Sequence, residues 1–115
     1  MTVDASTPRT IRSDRDFTRI MECGASFRGR MFRARYLANR LPLARLGISI
    51  GRRYGGAVAR NRFKRLVREA FRDMRHGLPA VDMVIMPLIP PAGASLAGCR
   101  DDLAALARSA GGAGQ

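Results

Sequence analysis

A chain of 115 residues, 46% hydrophobic and 26% charged, has the makings of one domain with its own core and is too short for two. Twenty-one basic side chains against nine acidic ones leave a formal charge of +12; such self-repulsion points to a polyanionic partner, and nucleic acid is favoured over an anionic membrane because no long segment pairs a basic face with an exposed aromatic one. With no run of 18 apolar residues and no apolar leader near Met1, a membrane span and a secretion signal are excluded and a cytoplasmic location is expected.

Of the basic residues only Lys64 is lysine, and the planar guanidinium of arginine suits phosphate because it donates two parallel hydrogen bonds. Residues 1–10 lack periodicity and are expected to form a disordered tail. Ser13 followed by Asp16 resembles a capping box, and Phe17, Ile20 and Met21 share a face, which predicts a helix over 14–23 closed by Gly24. From Arg30 to Ala38 the period becomes two, with Phe32, Ala34, Tyr36 and Ala38 on one face and Met31, Arg33, Arg35 and Leu37 on the other. A turn with Asn39 and Pro42 follows, then a strand over 45–52 with Leu46, Ile48 and Ile50 on one side and Gly47, Ser49 and Gly51 on the other. Glycine at such positions marks the close approach of another backbone. If the two strands pair, one sheet face is apolar and the other is an open face edged with arginine, suited to a single strand of nucleic acid.

A long helix is expected from about 57 to 75, stopped by Gly77 and Pro79. The apolar run 82–89 suits a buried strand with Pro87 at its end. Ser95 caps a last helix whose Leu96, Cys99, Leu103, Leu106 and Ala107 share a face, and residues 111–115 form a second disordered tail. One domain over 11–110 results. Cys23 and Cys99 show no paired spacing and are expected to be reduced, semi-buried thiols, not a disulfide or a metal site.

The segment 59–72 reads ARNRFKRLVREAFR. At about 100° per residue, Ala59, Phe63, Leu66, Val67, Ala70, Phe71 and Met74 fall within an arc of roughly 140°. Asn61, Lys64, Arg65, Arg68, Arg72 and Arg75 fall within roughly 100° on the far side, and Arg60 and Arg62 lie at the two margins. A solvated helix face normally mixes charge signs; here Arg60, Lys64, Arg68 and Arg72 repeat at i+4, which destabilises an isolated helix. The face is therefore read as a phosphate-binding rail. Its side chains are poor in base readers beyond Asn61, which disfavours a sequence-reading DNA-binding protein.

Protein-based catalysis finds no support. His76 lies near a helix end, Asp101 and Asp102 point in different directions, and Asp14 and Asp16 suit a helix start. GRRYGG before a helix lacks the Gly-Lys-Ser/Thr of a nucleotide loop.

The segment ARNRFKRLVREAFR resembles the signature helix of the bacterial ribonuclease P protein component, with its Arg-Asn-Arg core at Arg60, Asn61 and Arg62. RLGISIGRRYGGAVARNR (45–62), IRSDRDF (11–17) and DMVIMP (82–87) resemble the family's other elements, in order, so that the likeness covers about residues 9–108. It implies an α/β (α+β) two-layer sandwich of the ribosomal protein S5 domain 2-like type: a small mixed sheet and three helices in the order α-β-β-(β)-α-β-α, with a left-handed βαβ crossover. It also implies a subunit of a ribonucleoprotein endonuclease (a hydrolase of tRNA processing) whose catalytic centre and magnesium requirement belong to the RNA, with no catalytic residue, metal ligand or cofactor in this chain. By position, Arg52, Arg53, Arg60, Asn61, Arg62, Lys64, Arg65 and Arg68 would contact the catalytic RNA, and Phe17, Arg33, Arg35 and Ser49 would line a groove for the precursor-tRNA 5′ leader. The implied partners are the catalytic RNA and precursor tRNA, with no membrane and no protein partner required. Met21 and Arg35 stand where family members often carry aromatics, which implies weaker stacking and stronger arginine contacts here. Gly56, where the family often has Asn, is a less specific helix cap. The alternative is another binding module, such as a ribosomal or DNA-binding protein.

Overall fold

In the computed structural model, described for the backbone of residues 10–113 and the side chains of 10–111, the chain order is α1 (Asp14–Cys23), β1 (Ala25–Arg28), β2 (Phe32–Ala38), β3 (Arg45–Ile48), α2 (Ala57–Met74), β4 (Val81–Pro87) and α3 (Leu96–Ala113). Short 3-10 turns precede α2 at Arg52–Tyr54, follow it at Arg75–Gly77, and lead into α3 at Pro91–Gly93. The expected tail over 1–10 lies outside the described residues except for Thr10, which bridges Leu46 in parallel, while Ile11 N–H donates to the Leu46 carbonyl at 2.9 Å. That contact covers part of an otherwise bare sheet edge. At the other terminus α3 runs on through Ala113, past the expected boundary at 110.

The four strands lie in the order β1-β2-β4-β3. β1 and β2 form an antiparallel hairpin, β2 and β4 are antiparallel, and β3 and β4 are parallel and joined through α2. The two strands expected over 30–38 and 45–52 therefore do not pair; β4 lies between them. Its six buried residues from Val81 to Met86 explain why its sequence shows no alternation: this central strand is covered on both faces.

Phe32, Ala34, Met83 and Ile85 point to one face, where they pack with Phe63, Val67, Ala70 and Phe71 of α2 and Cys99, Leu103 and Leu106 of α3. Fully burying each large apolar side chain of this set contributes about 1.5–3 kcal/mol. Burial also pushes the Cys99 thiol up to about 11. On the opposite face Ile20 of α1, only 2% exposed, meets Ile11 and Val84, with Phe17, Met21 and Leu37 packed around them. The sandwich of sheet against α2 and α3 thus has α1 as a partial third layer, and the second face is not open along its whole length.

Local chemistry accounts for most element ends. The Ser13 side chain accepts from Asp16 N–H at 3.3 Å, and Gly24 N–H closes α1 on the Ile20 carbonyl. Asp16 does not complete the expected box; its carboxylate lies 3.4 Å from Arg45. Ser95 caps α3 through Gly98 N–H at 3.0 Å. Gly56 begins α2 with no side-chain cap. The expected strand over 45–52 ends at Ile48, although Ile50 still packs on the core: alternation reports which way side chains face, not whether the backbone stays in the ladder. The residue pattern gives no sign of β1, although the element order implied by the resemblance leaves room for a third strand before α2; its four residues hold only Ala25 and Phe27 as apolar side chains, too few to show a period. The expected strand start at Arg30 moves to Phe32, because residues 29–31 make the hairpin turn.

Arg75 is a further correction. It is not on the cationic rail: α2 ends at Met74, and the following 3-10 turn swings Arg75 into the core, 5% exposed, where Nε donates to the Ala44 carbonyl at 2.9 Å and the guanidinium lies 6.0 Å from the Phe71 ring centre. Both cysteines are free, but Cys23 is exposed and Cys99 buried, so neither is the semi-buried thiol expected.

Candidate nucleic-acid interface

The α2 sequence places its apolar stripe as the 3.6-residue period dictates: Phe63, Val67, Ala70 and Phe71 are buried. The opposite face is thereby turned to solvent. Asn61, Arg65 and Arg68 are exposed on it, and Arg60 and Lys64 are half-buried along its flank. Arg52 and Arg53 are exposed on the 3-10 turn just before the helix. Among the described residues the side chains of Arg52, Arg53, Arg60, Lys64, Arg65 and Arg68 make no ion pair or hydrogen bond. Unlike them, Arg72 lies 4.0 Å from Asp73, and Asp73 also pairs with Arg100. No acidic residue occupies the first turn of α2, so the positive end of the helix dipole adds to the arginine field instead of being offset.

Arg62 behaves differently from its neighbours. Its guanidinium donates to the Pro91 carbonyl at 3.3 Å and the Ala94 carbonyl at 3.1 Å. It thereby straps the turn before α3 onto α2. The half-buried Tyr54 ring packs 5.4 Å from Phe63 and seats the 52–54 turn against the same helix.

A groove of about 550 Å³ opens where the segment before α1, strand β3 and α2 converge. Its apolar floor is Ile11, Phe17, Leu46, Gly47, Ile48 and Phe71, and its cations are Arg12, Lys64 and Arg68. Gly47 has a steric purpose there. A Cβ at that position would stand 3.1 Å from Cε2 and 3.4 Å from Cδ2 of Phe17, so glycine lets the ring lie close over the strand. The close approach expected at this glycine is real, but it comes from an aromatic side chain and not from a backbone.

The expected groove residues divide. Phe17 lines the groove. Arg33, Arg35 and Ser49 do not, although by strand alternation they share its sheet face. Arg33 is exposed. One Arg35 nitrogen donates to the Gly24 carbonyl at 2.9 Å and the Ser26 hydroxyl at 3.0 Å, tying β2 to the start of β1. Ser49 N–H donates to the Ile85 carbonyl at 2.9 Å, just past the end of β3. Lys64 and Arg68, expected on the rail alone, also reach the groove, so helix face and groove form one continuous surface. Arg12 was not anticipated; its only signal is its place directly before the Ser13 cap, on the segment that bridges β3.

A second recess, of about 470 Å³, lies beyond the other end of β3. Its Asn39, Arg45 and Asp82 side chains satisfy one another, while Arg19 and Arg40 at its rim are exposed. Arg45 donates to both Asp82 oxygens at 2.8 and 2.6 Å, and Asn39 donates to Asp82 at 2.9 Å. This recess reads as a structural network fixing the 39–44 turn. Among the described residues no group of three His, Cys, Asp or Glu side chains is placed to hold a metal ion, and no helix is long and apolar enough to cross a membrane.

A two-helix layer on a four-stranded mixed sheet, a helix with an exposed and largely cationic face, and an adjoining groove floored by an aromatic ring define a small α+β protein built to bind a polyanion. The ribonuclease P family model matches residues 6–111. The ribonuclease P protein component of Thermotoga petrophila is 36% identical over 88 residues, which cover 76% of this chain and 75% of that one. The Chlamydia felis protein component is 58% identical over 43 residues, and the matched stretch spans 31% of that relative's length. Among solved structures, the RNase P protein from Thermotoga maritima superposes with a TM-score of 0.77 at 30% identity, covering 87% of this chain and 96% of that one. The Staphylococcus aureus RNase P protein gives 0.76 at 29%, covering 89% and 94%. The chain belongs to the ribonuclease P family.

Proposed function

We propose that this chain is the protein subunit of ribonuclease P, which binds the catalytic RNA and the 5′ leader of precursor tRNA in the cytoplasm and assists removal of the leader to give the mature tRNA 5′ end. The observation that carries the proposal is the continuity of a cationic α2 face, whose Arg60, Lys64, Arg65 and Arg68 have no ion pair or hydrogen bond among the described residues, with a groove in which Phe17 lies over Gly47 between Arg12, Lys64 and Arg68. A folded RNA docks along Arg52, Arg53, Arg60, Asn61, Arg65 and Arg68, where phosphates replace the missing acidic partners. A single strand enters the groove, stacks a base on Phe17 and places its backbone against the flanking cations. Such contacts tolerate any leader sequence, as an enzyme serving many tRNAs requires. Arg33 and Ser49 continue this surface across the sheet, and Arg35 contributes from a position braced by Gly24 and Ser26. Hydrolysis and its magnesium ions belong to the RNA; the residues of this chain hold and orient.

Cleavage of a 5′-extended precursor tRNA at low magnesium tests the proposal, with protein alone, matching RNA alone, and both together. Efficient cleavage is expected only with both. Cleavage by the protein alone would place the active site in this chain, and a protein without effect would assign it to another RNA. Within the holoenzyme, Phe17→Ala should weaken binding of precursor by roughly 5- to 150-fold, the cost of about 1–3 kcal/mol for one lost stacking contact, while leaving mature tRNA unaffected. Equal losses on the two ligands would remove Phe17 from the leader site.

A further inference from the structure

The β1–β2 hairpin carries a charge arrangement that its own fold does not use. Arg28 and Arg33 are direct partners across the ladder, so their side chains leave the same face of the sheet, and Arg30 occupies the turn between them. All three are exposed, and among the described residues none of their side chains has an ion pair or a hydrogen bond. Like charges directly opposite each other in a strand pair are destabilising. The hairpin carries that cost on a turn that is otherwise firmly held. Gly29 N–H donates to the Phe32 carbonyl at 2.8 Å, Leu88 N–H donates to the Met31 carbonyl at 3.0 Å, and the Arg30, Met31 and Phe32 N–H groups all donate to Asp102.

The position of the pair gives it a use. Arg33 lies opposite Met86, and the Ser49 N–H bond to Ile85 carries the β3 register one step on, bringing Ser49 beside Met86. Arg28, Arg33, Met86 and Ser49 therefore form one row across all four strands, on the sheet face that α1 covers only in part. Three strand spacings of about 4.8 Å make the row roughly 14 Å long. Its Ser49 end is two residues from Gly47, where Phe17 sits in the groove.

We propose that this row extends the leader groove, and that Arg28, Arg30 and Arg33 bind phosphates of leader nucleotides lying further upstream than the one stacked on Phe17. The proposal rests on the reading of the groove as the leader site. Guanidinium forks on a rigid hairpin suit phosphates of a single strand, and they set a preference for leader length, not leader sequence.

The test uses the reconstituted holoenzyme carrying Arg28→Ala and Arg30→Ala together, with two precursor tRNAs: a short leader that ends at the Phe17 groove and a long one that reaches the hairpin. Both side chains are exposed, the Arg30 N–H is kept and the Arg28–Arg33 repulsion is relieved, so the melting temperature should hold or rise slightly. The wild type should bind the long leader more tightly. The variant should lose roughly tenfold on the long leader at low salt, with a salt dependence flattened by about 1.4 for two lost phosphate contacts on a single strand. Its affinity for the short leader and for the catalytic RNA alone should stay as in the wild type. A loss shared by both leaders, or a loss on the catalytic RNA alone, would move the hairpin to a folded RNA and overturn the proposal, as would a variant indistinguishable from wild type on the long leader. A wild type indifferent to leader length would also overturn the proposal, whereas a wild type that binds the short leader no more tightly than mature tRNA would overturn the groove reading itself.

Discussion

Asp102→Ala should lower the unfolding free energy by about 3–5 kcal/mol, a large part of the 5–15 kcal/mol of a typical domain. The carboxylate is 4% exposed and accepts three backbone N–H bonds, from Arg30 at 3.0 Å, Met31 at 2.7 Å and Phe32 at 3.0 Å. Removing it leaves three donors without an acceptor, and that of Phe32 is buried. No neighbouring group replaces it easily, because the turn is shaped around the carboxylate: a Cβ at Gly29 would run into Asp102. Asp102→Asn should recover part of the loss, since its amide oxygen can still accept from Met31 and Phe32 while its NH₂ faces only the Arg30 N–H. Urea unfolding followed by circular dichroism reads the effect as a lower midpoint with an unchanged slope. A shift equivalent to less than about 1 kcal/mol would show that the hairpin holds itself without α3.

Asp102 also marks the limit of what the chain's linear pattern reveals. Its partners are 70 to 72 residues away, so beside Asp101 it looks like one of two unremarkable helix acids. What depends on near neighbours was legible. Ser13 and Gly24 bound α1 at its observed ends, Ser95 caps α3, and the wheel over 59–74 separates the buried stripe of α2 from its cationic face. What depends on tertiary placement was not. Nothing in 30–38 or 45–52 says that β4 will lie between these strands. Arg62 resembles any other rail arginine until the 91–94 turn brings carbonyls to it, and Arg75 leaves the rail only because the helix gives way to a 3-10 turn one residue earlier. At the groove, Phe17 and Gly47 each carried a signal; their contact required the packing of α1 across the sheet.

Replacing Arg60, Arg65 and Arg68 together with alanine should cost the largest share of affinity for the catalytic RNA while leaving the fold intact. None of the three side chains has an internal partner among the described residues, and i+4 repulsion between Arg60 and Lys64 and between Lys64 and Arg68 is relieved by the change. Thermal stability should therefore hold or rise slightly, because alanine is also the better helix former. Binding behaves oppositely. Each phosphate contact releases about 0.9 of a counterion, so three lost contacts flatten the salt dependence by about 2.7. Between 50 and 200 mM salt the variant should accordingly lose roughly 40-fold less affinity than the wild type does. Arg62→Ala separates the two roles of this helix. Because Arg62 holds the Pro91 and Ala94 carbonyls, its loss should lower the melting temperature, by about 4–8 °C for each kcal/mol in a domain of this size, and change the salt slope less than any of the other three. Filter binding across a salt series, paired with thermal melts of the free protein, measures both quantities. A triple variant with the wild-type slope would take α2 out of the RNA interface, and an Arg62→Ala protein that melts normally but loses a full phosphate contact would return Arg62 to it.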